Sequence, residues 1–135
     1  MRILVDTSVW SLALRRQSSV VHAEAVLLRT LIEQGEDISI IGVILQEILQ
    51  GVRNLKDFNQ LKEYFAAFPI IELTREDYIK AAELKNHLMK YGKQVGTIDA
   101  LIASAAISRE CSLFTADQDF TYIAMHSKLK LLNKK

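Results

Sequence analysis

Short apolar runs alternate along the chain with longer segments in which apolar residues recur every three or four positions. The first run, RILVD, is β-branched and unalternating, as expected for a strand that is covered on both faces. The runs DISIIG, IIEL and CSLFTAD predict three more strands, and KLKLL predicts a fifth. Strands separated by helical patterns predict an α/β fold with a central, mainly parallel sheet of four to five strands and right-handed crossovers.

The segments between these runs carry the period of a helix. Gly35 and Gly92 supply left-handed stops, Thr74 and Asp77 have the spacing of a capping box, and Pro69 follows the end of one helical pattern. The small and apolar residues of GTIDALIASAAIS predict a helix that is buried nearly all round. The predicted helices cover residues 20–34, 43–51, 55–65, 74–91 and 96–108.

Size and composition limit how the chain is organised. Its 135 residues, half of them apolar, suffice for one sizeable core, and neither a repeat nor a Pro/Gly-rich linker divides them. We therefore expect a single domain over residues 1–135. No apolar run approaches the length of a membrane span and the N-terminus lacks a signal-peptide pattern, so we expect a soluble, intracellular protein without a membrane partner. The single cysteine, Cys111, excludes an intrachain disulfide and is expected to be a buried, reduced thiol.

Four acidic residues differ from ordinary surface acids because their neighbours in sequence are apolar. They are Asp6 in LVDTS, Glu47 in LQEIL, Asp99 in TIDAL and Asp117 in FTADQDF. Each has a structural explanation, since Asp6 or Asp117 can cap a following helix, Glu47 can be a partly exposed helix residue, and Asp99 can favour a helix N-terminus. Asp6 and Asp117 also lie at the carboxyl ends of their strands, where ligands collect in parallel sheets.

Taken together, the four acids predict a cation site. Converging carboxylates cannot all stay ionised without a counterion, so either some are protonated or a multivalent cation lies among them. The set is all oxygen, without Cys or His at metal-ligand spacing, which favours Mg²⁺ or Mn²⁺ over a structural zinc. Four neighbouring hydroxyl residues can orient ligands or waters, although local capping and turn hydrogen bonds explain each equally well. These residues are Thr7, Ser8, Thr97 and Thr115.

Four motifs, in the order VDTSVW, QEILQG, TIDALIA and FTADQDF, extend over nearly the whole chain. Together they resemble the PIN-domain ribonucleases, in particular the VapC toxins of prokaryotic toxin–antitoxin pairs. The resemblance implies a PIN-like three-layer α/β/α fold. It also implies that Asp6, Glu47, Asp99 and Asp117 are catalytic residues and metal ligands. The resemblance leaves open whether Asp119 shares or takes the role of Asp117, directly or through water, and it implies that Thr115 is the accompanying hydroxyl.

The same resemblance implies a function. Family members are metal-dependent endoribonucleases, and a Mg²⁺- or Mn²⁺-activated water held by the clustered carboxylates hydrolyses the RNA phosphodiester bond, commonly leaving a 5′-phosphate and a 3′-hydroxyl. It further implies a cytoplasmic, homodimeric protein and a VapB-like antitoxin whose tail enters the acidic site. Leu12, Leu14 and the FAAF segment offer apolar surface to such a partner, although core packing explains them as well.

The overall charge is nearly balanced, with 17 Lys and Arg against 16 Asp and Glu. If four carboxylates gather in one site, the rest of the protein has an excess of basic residues, which suits a polyanion bound through its backbone. Five basic residues are candidates for contacts with an RNA backbone, although such residues are more often merely solvated. They are Arg15, Arg16, Arg53, Lys90 and Lys93.

Two other classes of protein remain as alternatives. One is a catalytically inactive PIN-like module that binds RNA or protein. The other is a receiver or phosphatase-like domain with a phosphorylated Asp6, but Ser8 stands where such phosphatases need a second acid, and Ile3 and Leu4 stand where receivers need an acidic pair. The three histidines lie apart without a nucleophile motif, which favours surface or packing roles and disfavours a metal-free, His-dependent ribonuclease. They are His22, His87 and His126.

Overall fold

The computed structural model describes residues 2–15 and 20–132. Within these residues five strands alternate with seven helices. The strands are β1 (Arg2–Val5), β2 (Asp37–Ile41), β3 (Ile70–Ile71), β4 (Ser112–Phe114) and β5 (Lys130–Leu131). The helices are α1 (Thr7–Ala13), α2 (Ala23–Glu33), α3 (Gly42–Gln50), α4 (Leu55–Phe65), α5 (Arg75–Met89), α6 (Thr97–Ser108) and α7 (Asp119–Met125).

All strand pairs are parallel, and the strands lie in the order β3-β2-β1-β4-β5. In the central strand Leu4 lies opposite Ser39 of β2 and Leu113 of β4. Ile3, Leu4 and Val5 are fully buried, which explains why RILVD lacks polar alternation. The predicted mainly parallel α/β/α fold is confirmed. Strand order reverses between β1 and β4, and such a switch point opens a crevice at the carboxyl edge of a parallel sheet.

Most helix predictions are confirmed, with differences at some boundaries. Helix α2 begins only after its N-cap residue His22, and Val20 and Val21 are exposed outside it. The capping box at the start of α5 is present, and Gly35 and Gly92 both have the expected left-handed backbone, with φ of 74° and 76°. Two helices, α1 and α7, were not among those predicted, because seven residues are too few to show a helical period.

Helix α6 carries the small residues that predicted a deeply buried helix, and five consecutive positions from Ile102 to Ala106 are buried. It packs against α5, and an ion pair joins the start of α5 to the end of α6. Arg109 donates from Nη1 to Asp77 Oδ1 at 2.7 Å and from Nη2 to Asp77 Oδ2 at 2.8 Å. This guanidinium holds the pKa of the buried Asp77 carboxyl well below its usual range.

No helix of the described ranges is both long enough and apolar enough to cross a membrane. Cys111 is a free, buried cysteine, as expected, and burial raises the pKa of its thiol. Arg16, one of the five candidate RNA contacts, lies outside the described residues.

Candidate metal centre

The fold brings four of the predicted site residues to one edge of the sheet. Asp6 directly follows β1, and Asp117 follows the end of β4, the strand beside it. Glu47 lies in α3, which continues from β2 without a loop, and Asp99 lies in the first turn of α6. Because the carboxyl ends of parallel strands meet at one edge, residues from distant parts of the sequence converge at the switch point.

Three carboxylates form the closest group. Asp99, Asp117 and Asp119 each offer an oxygen, and these oxygens lie within 4.8 Å of one another. The backbone N–H of Asp119 donates to Asp117 Oδ1 at 2.9 Å, and Lys93 Nζ lies 3.8 Å from Asp119 Oδ1. The sequence left open whether Asp117 or Asp119 takes part, and the structure places both beside Asp99.

Asp6 is buried next to this group, and two hydroxyls hold its carboxylate. Asp6 Oδ2 accepts hydrogen bonds from Ser8 Oγ at 2.7 Å and from Thr115 Oγ1 at 2.9 Å. The same hydroxyls accept backbone N–H groups of the loop after β4, with Ala116 donating to Ser8 and Asp117 donating to Thr115. Among the described residues no α1 backbone group is capped by the Asp6 side chain, so the capping explanation for Asp6 does not hold.

The remaining predicted residues lie around these acids. Thr7 Oγ1 donates to Glu47 Oε1 at 2.7 Å, a contact that joins α1 to α3 and orients the Glu47 carboxylate. Thr97 is the exposed first residue of α6, two positions before Asp99. The contact between Thr7 and Glu47 could not be predicted from spacing, because 40 residues separate the two.

The group carries an excess of negative charge. The pKa of Asp99 is raised to about 6, first by burial and then by the charges of Asp117, Asp6, Asp119 and Glu47. A cation among these oxygens would instead favour the ionised carboxylates. The donor set is entirely oxygen, so it fits a hard divalent cation such as Mg²⁺ or Mn²⁺.

The fold and the carboxylates at its switch point define a parallel α/β protein with an acidic, cation-compatible site. The family described as PIN domain matches residues 3–125 of the sequence. The chain therefore belongs to the PIN domain family. No curated protein matches the sequence.

Several solved structures share the fold along nearly the whole chain. VapBC2 from Rickettsia felis, bound to a DNA fragment from its promoter, is 22% identical, with 98% of each chain covered and a TM-score of 0.78. FitAcB from Neisseria gonorrhoeae is 23% identical, with 98% of this chain and 97% of that chain covered and a TM-score of 0.76. VapBC-1 from nontypeable Haemophilus influenzae is 15% identical, with coverage of 99% and 98% and a TM-score of 0.78.

Proposed function

We propose that this protein is a divalent-metal-dependent endoribonuclease and the toxin of a VapBC-type toxin–antitoxin pair. The observation that carries the proposal is the convergence of Asp6, Glu47, Asp99, Asp117 and Asp119 at the switch point of a PIN-family sheet. The structures with the same fold include toxin–antitoxin complexes, which supports the second part. The proposal includes the cytoplasm of a prokaryote as the location and a homodimer as the assembly.

Asp99, Asp117 and Asp119, with Asp6 beside them, would hold the Mg²⁺ or Mn²⁺. When bound, such an ion supplies Lewis-acid polarisation of the phosphodiester and activation of water. Ser8 and Thr115 each donate a hydrogen bond to Asp6 Oδ2 and so orient this carboxylate.

The supporting hydrogen bonds determine how these carboxylates are presented. Because the hydroxyls of Ser8 and Thr115 also accept backbone N–H groups, they fix the position of Asp6 relative to the loop that carries Asp117. Thr7 holds Glu47 at the rim of the same site. Outer hydrogen bonds of this kind typically contribute 10–100-fold to metal affinity or activity.

We expect purified protein to cleave a labelled single-stranded RNA in Mg²⁺ or Mn²⁺, to stop when EDTA is added, and to resume when the metal is restored. The products should carry 5′-phosphate and 3′-hydroxyl ends. Asp37→Asn is the matched control for charge removal at the site by Asp99→Asn. Asp37 is an exposed acid that starts β2, and we expect this control to cleave like the wild type. Unchanged cleavage in EDTA would refute the metal dependence, whereas RNA binding without cleavage under any metal would support the inactive binding module.

An apolar groove supports the antitoxin part of the proposal. The groove has a volume of about 250 Å³ and is bounded by α1, α2 and α4. Apolar side chains make up most of its wall, and Arg29 and Glu33 of α2 also line it. An amphipathic antitoxin helix fits a groove that combines apolar walls with charged residues. The lining residues include Trp10, Ala13, Leu14, Ala25, Leu28 and Tyr64.

We expect the product of a small neighbouring reading frame to copurify with this protein and to suppress its ribonuclease activity. Ala25→Glu should reduce the affinity of this protein for that partner at least about tenfold, because it places a larger, charged side chain among the apolar residues of the groove. Val26→Glu is the control on the same helix, since Val26 is 52% exposed and does not line the groove. Isothermal titration calorimetry measures the affinity of each variant for the partner. Equal affinities of the two variants would mean that the partner does not bind in this groove.

A further inference from the structure

Four aromatic side chains form a surface cluster near the metal centre. This cluster, called here the aromatic patch, consists of His87, Tyr91, Tyr122 and His126. The rings of Tyr91 and His126 stack with centroids 4.2 Å apart and planes 24° apart. The His87 ring lies 5.4 Å from that of Tyr91, and the Tyr122 ring lies 4.8 Å from that of His126. The sequence assigned the two histidines to surface or packing roles and gave no sign that they meet.

The aromatic patch is held in place by main-chain hydrogen bonds. Tyr122 Oη donates to the carbonyl oxygen of Tyr91 at 2.9 Å, and His87 Nε2 lies 3.1 Å from the carbonyl oxygen of His126. These contacts join the end of α5 and the residues after it to α7 and its C-cap. The patch is therefore ordered before any ligand arrives, which lowers the entropic cost of binding.

The aromatic patch is open to solvent and continuous with the acidic site. Tyr91 is 53% exposed although His126 stacks on its ring. Lys93 joins the two regions, because its Nζ lies 5.3 Å from the centroid of Tyr122 and 3.8 Å from Asp119 Oδ1. An exposed ring, a cation and the catalytic carboxylates thus follow one another along the surface.

We infer that the aromatic patch is a stacking platform for an unpaired base of single-stranded RNA, next to the phosphate that is cleaved. Tyr91 would stack with the base, and Lys93 would contact the backbone phosphate between that base and the metal centre. This inference rests on the proposed function for the identity of the nucleic acid and for the position of the cleaved phosphate. Aromatic rings beside basic residues are the common means of binding single strands without base pairing.

RNA binding by the Tyr91→Ala variant tests the platform. We measure the affinity for a labelled single-stranded RNA by fluorescence anisotropy in an Asp99→Asn background, in which the proposed cleavage is blocked. The loss of one stacked base should weaken binding roughly tenfold. Tyr91→Trp should keep the affinity because it keeps a stacking face. Tyr78→Ala is the control and should bind normally, because Tyr78 is 56% exposed and lies in the first turn of the same helix that carries His87 in its last turn.

A second measurement leaves the protein surface unchanged. We measure an RNA of the same length that lacks its bases. Protein with intact Tyr91 should bind this base-free strand about as weakly as the Tyr91→Ala variant binds intact RNA. The Tyr91→Ala substitution should not weaken binding of the base-free strand further. Equal affinities for intact and base-free strands would overturn the platform, as would equal affinities of the Tyr91→Ala and Tyr78→Ala variants. Tyr91-dependent binding, together with wild-type protein that cleaves no RNA in Mg²⁺ or Mn²⁺, would support the platform and refute the proposed nuclease.

Discussion

Asp99→Asn should abolish RNA cleavage while leaving the protein folded and no less stable. Asp99 belongs to the closest group of carboxylates, and an amide is a poorer ligand for Mg²⁺ or Mn²⁺ than a charged oxygen. We expect activity to fall at least about 100-fold, since even the outer partners of metal ligands contribute 10–100-fold. The stability should be kept or raised, because the substitution removes a charge that burial and four neighbouring carboxylates disfavour.

The stability readout makes this prediction independent of activity. In metal-free wild type the folded state holds the Asp99 proton more tightly than the unfolded state does, since its pKa is raised from 3.8 to about 6. The free energy of unfolding should therefore decrease as pH rises from about 4 to 6, and Asp99→Asn should lack this decrease. Adding Mn²⁺ should raise the melting temperature of the wild type more than that of the variant. A variant that cleaves normally, or one that unfolds, would contradict the proposed role.

Asp77→Ala should cause the largest loss of stability of any single charge removal described above. Asp77 is buried, accepts two hydrogen bonds from Arg109, and completes the capping box with the backbone of Thr74. The substitution leaves a partly buried guanidinium without its partner. Breaking such a pair costs about 3–5 kcal/mol, which lowers the melting temperature of a chain of this length by roughly 10–20 °C.

The exposed pair Arg2 and Asp37 is the matched control for this prediction. Their atoms are 3.5 Å apart, and about half of each side chain is exposed. Asp37→Ala should change the free energy of unfolding by less than about 1 kcal/mol, because solvent screens exposed pairs. Urea unfolding of both variants measures the difference. Equal losses would mean that burial of Asp77 adds nothing to the strength of its ion pair.

The pH dependence of the Asp77 contribution has the opposite sign to that of Asp99. Its folded pKa is lowered, chiefly by the hydrogen bond from Arg109, so its stabilisation is present above about pH 4 and is lost as pH falls below that value. The stability difference between wild type and Asp77→Ala should therefore shrink on acidification.

The sheet and most helices could be predicted because their signals are local. The unalternating RILVD run and the capping box of α5 are each visible within a few residues. The pair of Asp77 and Arg109 could not be predicted, because 32 residues separate its members and either residue alone reads as a helix-end charge. Likewise, β3 includes only two residues of the IIEL run, since its length depends on its pairing with β2.

The candidate site was predictable in its residue types and less so in its arrangement. The acids could be identified because apolar neighbours are unusual for them. Their grouping depends on strand order, which placed Asp119 with Asp99 and Asp117 and placed Asp6 beside them under two hydroxyls. The aromatic patch gave no sequence signal, since its residues come from separate helices and a loop and none has an unusual neighbourhood.

The hydrogen bond from Thr115 to Asp6 joins residues 109 positions apart in sequence, at the ends of the neighbouring strands β4 and β1. During synthesis Asp6 leaves the ribosome long before β4, so the carboxylates cannot gather until most of the chain has emerged. A nascent chain of the proposed ribonuclease would consequently lack its complete acidic site while it is still on the ribosome. The strand order thus determines when the carboxylates can assemble as well as where they lie in the fold.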